Sequence, residues 1–164
     1  MSAIAWKMPP LVKVYEAMGA LGDGRVEMKG TWGALVTSSE GNKTYQVEIS
    51  DDLREISSND NASYWQGYLG YPAVAVLLQL GLYRAPANVI DALAGIAWKQ
   101  INRRLRNDYA KTIKEVDRII EQNGHDPDAV RAEAEAIMDA LKKLAPVRGV
   151  RKPPPAEKRE SKGK

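Results

Sequence analysis

Tyr64, Trp65, Tyr68 and Tyr71 place four of the chain's eleven aromatic residues within eight positions. Asn61, Ser63, Gln66, Gly67 and Gly70 are interleaved with them, a mixture that holds rings near a surface while supplying hydrogen bonds and pliable backbone. Rings placed in this way can stack unpaired nucleic-acid bases at about 1–3 kcal/mol per base, since every base offers a π-face. The bland alternative is that they pack their segment onto a sheet and turn their hydroxyls to water.

A second group of residues has the complementary chemistry. Between Lys99 and Lys114 the chain holds Lys99, Arg103, Arg104, Arg106, Lys111 and Lys114 against Asp108 alone. On one helix, Lys99, Arg103, Arg106 and Lys114 would lie within about 80° of one another and about 120° from the apolar face of Trp98, Ile101 and Leu105. Such a stripe can neutralise successive phosphates, or it can be a solvated face with local ion pairs. Arg25, Lys29 and Lys43 add cations at strand ends, and Trp32 and Tyr45 can form an aromatic floor across facing strands. The charge is segregated: residues 1–114 carry +2, 115–145 carry −4 and 146–164 carry +5.

Other chemistries are poorly served. The chain of 164 residues has no Cys and a single His, His125, which removes disulfides, thiol catalysis and cysteine-ligated metal. No phosphate-cradling glycine loop with Lys-Ser/Thr and no helical His or Glu-x-x-His ligand pair occurs. Asp51, Asp52, Glu55 and Asp60 could in principle form a hard-metal site, but acidic residues in turns more often cap or are solvated. The expectation is a protein without catalytic residues, metal or cofactor. No apolar run reaches membrane-span length, and residues 1–10 lack the pattern of a secretory leader, so the expected compartment is the cytoplasm.

The elements that must position these residues follow from periodicity. Leu11, Val12, Val14, Tyr15, Met18 and Leu21 keep helical spacing up to Gly22-Asp23-Gly24. Alternation then predicts strands around residues 26–28, 32–36 and 45–49, with a fourth short one over 53–56. Residues 57–70 read as a loop, and Pro72 opens a helix that is apolar almost all round. From Pro86 a single helix from Ala87 to Gln122 is expected, about 50–55 Å long. Asp126-Pro127 starts another. Ile113, Val116 and Ile120 before the turn, and Val130, Ile137, Leu141 and Leu144 after it, fall on heptad-like seams that a second chain would cover.

The segments VKVYEAMGALGDGRVEM and KTYQVEISDDLREISSNDNASYWQGYLGYPAVAVLLQLG, with the heptad-like helices and basic tail behind them, resemble the ThermoDBP family, single-stranded DNA-binding proteins of the archaeal Thermoproteales. The resemblance spans nearly the whole chain. It implies sequence-independent binding of single-stranded DNA in replication, repair and recombination, by an α+β domain followed by helices that dimerise in leucine-zipper fashion. No binding residue is carried over from it.

The combined reading is an α+β fold with a small antiparallel sheet of three to four strands packed with helices, then a long C-terminal helical hairpin with leucine-zipper-like seams. Residues 1–100 form the nucleic-acid-binding domain, 101–145 the dimerisation region and 146–164 a disordered basic tail. The expected nucleic-acid contacts are Tyr64, Trp65, Tyr68, Tyr71, Trp32, Tyr45, Arg25, Lys29, Lys43, Lys99, Arg103 and Arg106. The expected partners are single-stranded DNA or RNA, a second copy of the chain, and replication or repair proteins reached through the tail, with no membrane. A protein-interaction module using the aromatics as a hot spot is the alternative.

Overall fold

The structure is a computed structural model that describes residues 3–30 and 33–156. The helix α1 spans Leu11–Gly22 and is followed by three antiparallel strands, β1 (Val26–Met28), β2 (Gly33–Thr37) and β3 (Thr44–Ile49). The β2–β3 hairpin closes over residues 38–43, where the Lys43 amide donates to Ser38 Oγ at 3.1 Å. The strand β4 (Glu55–Ser58) pairs antiparallel with β3, and a single π turn over Ala62–Gln66 then leads to α2 (Tyr71–Gln79). After it come α3 (Ala87–Ala92), α4 (Trp98–Arg104), α5 (Tyr109–Gln122), α6 (Pro127–Leu144) and β5 (Val147–Arg148).

Two expectations are corrected here. The sheet has five strands and is mixed, in the order β1-β2-β3-β4-β5, because β5 adds parallel to β4. The Val147 amide donates to Arg54 O at 2.7 Å, and the N-terminal segment runs along the other side, with the Arg148 amide donating to Ile4 O at 2.8 Å. Residues 147–148 therefore form a strand where the start of a disordered tail is expected; residues 157–164 lie outside the described residues. A lack of alternation concealed β5, which is held by backbone pairing on both sides.

The second correction concerns the long helix. Residues 87–122 form three short helices, not one. The first break is at Gly95, whose φ of +77° favours glycine and whose amide donates to Asp23 Oδ1 at 2.6 Å, tying the break to the end of α1. The second is at Arg106 and Asn107, both left-handed at φ +54° and +58°, after which Asp108 caps α5 by accepting from the Lys111 amide. The C-terminal region is thus no long helical hairpin but part of a bundle folded back on α1.

The same breaks decide where the seam residues lie. Val116, Ile120, Val130, Ile137 and Leu141 are buried within the single chain, with Ile113 and Leu144 packed at the edge of the same core. Helices α3, α5 and α6 each contact α1 within the chain. One apolar cluster runs from Trp6 to Leu141 and crosses residue 100 without interruption.

The layering explains the composition of α2. It lies between the sheet and α1, so Ala73, Val74, Ala75, Val76 and Leu77 are all fully buried and no polar face is needed. On another side of α1, Gly19 makes room for Trp98 of α4, since a β-carbon there would lie 2.6 Å from Trp98 Nε1.

Burial also sets an alkaline limit on the fold. It pushes the Tyr15 phenol from 10.0 to about 12, and does the same for Tyr68, where the Lys13 ammonium opposes the shift and the Tyr109 phenol adds to it. The folded state therefore keeps protons that the unfolded chain gives up. The stability involved is whole below about pH 10 and is lost as pH rises towards about 12. The melting temperature followed by circular dichroism is expected to fall across that window, with phenolate absorbance rising alongside loss of helix. Early, fully reversible phenolate formation with no loss of helix would show these hydroxyls to be solvated.

Candidate functional site

A cleft of about 380 Å³ opens where the β1, β2 and β3 ends meet α1, α2 and α4. Its size sits at the low end of the range for ligand pockets. Four cations reach it: Lys13 from α1, Arg25 before β1, and Lys99 and Arg103 one turn apart on α4. Three rings, Tyr45, Tyr71 and Trp98, line it as well. The antiparallel register sets Tyr45 opposite Val36, so that β3 delivers the ring beside the end of β2. Tyr45 and Tyr71 meet edge to face at 6.2 Å, and the Arg25 guanidinium lies 5.8 Å from the Tyr71 ring centre.

The floor is a buried polar chain. Lys13 Nζ lies 3.0 Å from Glu16 Oε2, Asn102 Nδ2 donates to Glu16 Oε1 at 3.2 Å, and Thr112 Oγ1 donates to Asn102 Oδ1 at 2.9 Å. This chain links α1, α4 and α5 and so fixes the angle at which α4 presents its cations. Burial works against the Lys13 ammonium, but the Glu16 carboxylate and the Tyr109 and Tyr68 oxygens outweigh it, and the pKa is raised. Lys13 accordingly stays cationic at any ordinary pH. Burial, with the Tyr45 oxygen adding, raises the Tyr71 phenol too, against the opposing pull of Arg25.

At the rim, Glu40 in the hairpin lies 3.4 Å from Arg103 and 3.8 Å from Lys99, while Ser39 Oγ accepts from the Lys99 amide at 3.3 Å. Arg25 donates to Thr37 O at 2.9 Å and to Asp23 Oδ2 at 3.1 Å. The cations are thus positioned by carboxylates and carbonyls at the mouth of the cleft. An incoming anion such as phosphate would meet them there in exchange for Glu40.

Of the residues singled out by sequence, Arg25, Tyr45, Tyr71, Lys99 and Arg103 come together in this cleft. The others do not. Lys29 is exposed and pairs with Glu27 at 2.8 Å, and Lys43, Arg106 and Tyr68 lie outside the cleft lining. Trp32 lies outside the described residues. Tyr64 and Trp65 lie within the π turn and outside the cleft lining, with ring centres 4.6 Å apart. The break at Arg106 and Asn107 divides the cationic stripe, leaving Lys99 and Arg103 on α4 and Lys114 on α5.

Sequence reasoning does not find Lys13, Glu16, Asn61, Asn102 and Asn107, which also line the cleft. A signal existed for the first two: they are charged, three residues apart, on a helix whose other positions are nearly all apolar. Asp51, Asp52 and Glu55 share one surface depression without Asp60, and among the described residues no three His, Cys, Asp or Glu side chains form a group that could hold a metal ion. Asp52 accepts from Ser50 Oγ and the Arg54 amide, while Asp60 is buried among serine donors. Among the described residues no helix is long and apolar enough to cross a membrane.

No curated protein and no solved structure matched the chain. A family model did, over residues 6–147, a span that takes in the cleft, the sheet up to the first residue of β5 and every described helix. The chain therefore belongs to the family described as uncharacterised conserved protein UCP014422.

Proposed function

We propose that the protein binds single-stranded nucleic acid in the cytoplasm without reading its sequence, and that the cleft between the sheet ends and α4 takes a base and its phosphate. The observation that carries this reading is the convergence of Lys13, Arg25, Lys99 and Arg103 with Tyr45, Tyr71 and Trp98 on one concavity. Cations at the mouth suit phosphate, and rings on the wall suit a base released from pairing. The resemblance to the ThermoDBP family supports single-stranded DNA as the polymer.

Fluorescence anisotropy with labelled oligonucleotides tests the proposal. A single strand is expected to bind more tightly than duplex of the same sequence, since bases paired inside a duplex cannot reach Tyr71. Equal affinity for the two at moderate salt would contradict it. The modest volume of the cleft favours a second reading, a free nucleotide as the ligand. Competition separates them: on the strand reading a mononucleotide displaces the labelled oligomer only weakly, and on the nucleotide reading it displaces it as well as the oligomer itself.

A further inference from the structure

Among the described residues three large apolar side chains stand exposed, Ile4 at 64%, Trp65 at 68% and Val150 at 71%. They come from three separate segments, and two of them share one groove. Ile4 and Val150 line a groove of about 200 Å³ together with Trp6 and Tyr64, and the Trp65 ring stands edge-on to Tyr64 beside it. Arg148, Arg151 and Lys152 line the same groove, Lys152 in an ion pair with Glu48 outside the lining, and no acidic residue lines it. Exposed apolar groups gathered in a cationic frame mark a recognition surface.

From this juxtaposition we propose that the groove is a docking site for an acidic segment of a partner protein, which inserts one large apolar side chain between Ile4, Tyr64 and Val150. The cationic frame selects an acidic partner by charge complementarity. The groove is smaller than pockets that hold free ligands and suits a single side-chain anchor. A base is poorly received there, since the Arg151 guanidinium covers the Tyr64 ring at 4.1 Å and its Nη2 donates to Tyr64 O at 3.3 Å. A second copy of the chain is poorly suited as well. Its helices α5 and α6 are close to neutral in charge and bury their seam residues, and among the described residues its exposed large apolar side chains are the three already at the groove. The proposal does not rest on the nucleic-acid reading, because the two sites share no lining residue.

The test uses the full chain and a fluorescein-labelled synthetic peptide of about ten residues, all Asp and Glu except for a central Leu-Phe pair. Saturable binding is expected. Changing Leu-Phe to Ser-Ser in the peptide, or making Trp65→Ala or Val150→Glu in the protein, should each weaken it about tenfold or more. Both protein positions are exposed, so circular dichroism should match the wild type, and Arg103→Gln in the cleft should leave peptide binding within about twofold. Absence of saturable binding, or binding indifferent to the Leu-Phe pair and to both protein changes, would overturn the proposal. Displacement of the peptide by an oligothymidylate that loses its own affinity in Trp65→Ala would assign the groove to nucleic acid instead. Self-association abolished by Val150→Glu would assign it to a second copy.

Discussion

Gly70→Ala is expected to destabilise the protein by about 2–4 kcal/mol, the sum of forced overpacking and a broken buried hydrogen-bond network. A β-carbon there would overlap Asp60 Oδ2 and lie 2.8 Å from Oδ1. That carboxylate cannot simply move aside. Asp60 is buried and accepts from Ser58 Oγ and Ser63 Oγ at 2.6 Å and from the Ser63 amide at 3.1 Å, and Ser63 Oγ in turn accepts from the Gly70 amide at 3.0 Å. The cluster closes the segment between β4 and α2 and holds the π turn, which presents Asn61 to the cleft and Tyr64 to the groove.

Urea denaturation measures the effect, as a fall in midpoint with little change in slope. Asp60→Ser in the same chain should absorb most of the further cost of Gly70→Ala, because the two residues share one contact and their effects cannot add. A Gly70→Ala protein as stable as the wild type would mean that Asp60 is held elsewhere.

Much of the sheet side was legible in the sequence. Alternation located β1, β2 and β3, because one face of each strand is more buried than the other, and the run over residues 53–56 overlapped β4. Asp126-Pro127 marked the start of α6 through a cap that the structure contains, with Asp126 Oδ1 accepting from the Asp128 amide at 2.9 Å. The helical side was misread for a physical reason. Val89, Leu93, Ile96, Ile101, Val116 and Ile120 all bury themselves in the same core, so their spacing remains helical across two breaks. Only the local chemistry of Gly95 and of Asn107-Asp108 announces the interruptions, and a glycine or a capping pair is easily overruled by periodicity.

The cleft was half legible for a related reason. Tyr71 and Tyr45, and Lys99 and Arg103, stand out as aromatics and as a cationic run. What brings the two sets together is Glu16, Asn102 and Thr112, three ordinary polar residues on different helices whose contacts are separated by up to 86 positions. No local pattern records such a contact. The aromatic cluster reads as one surface in the sequence, whereas the structure splits it: Tyr71 lines the cleft and Tyr64 the groove, with Trp65 exposed against Tyr64.

The assignment of the cleft is tested most directly by titrating an oligothymidylate at several salt concentrations into the wild type, an Arg25→Gln, Lys99→Gln, Arg103→Gln triple variant, and Tyr71→Ala. If the three cations meet phosphates, the plot of log affinity against log salt flattens by about 0.7 for each phosphate that is no longer neutralised, about 2 in all. If Tyr71 stacks a base, its removal weakens binding by about 1–3 kcal/mol and leaves the slope nearly unchanged, because counterions leave phosphates and not stacked bases. Wild-type affinity and slope in the triple variant would contradict the assignment outright and place the nucleic acid elsewhere on the molecule.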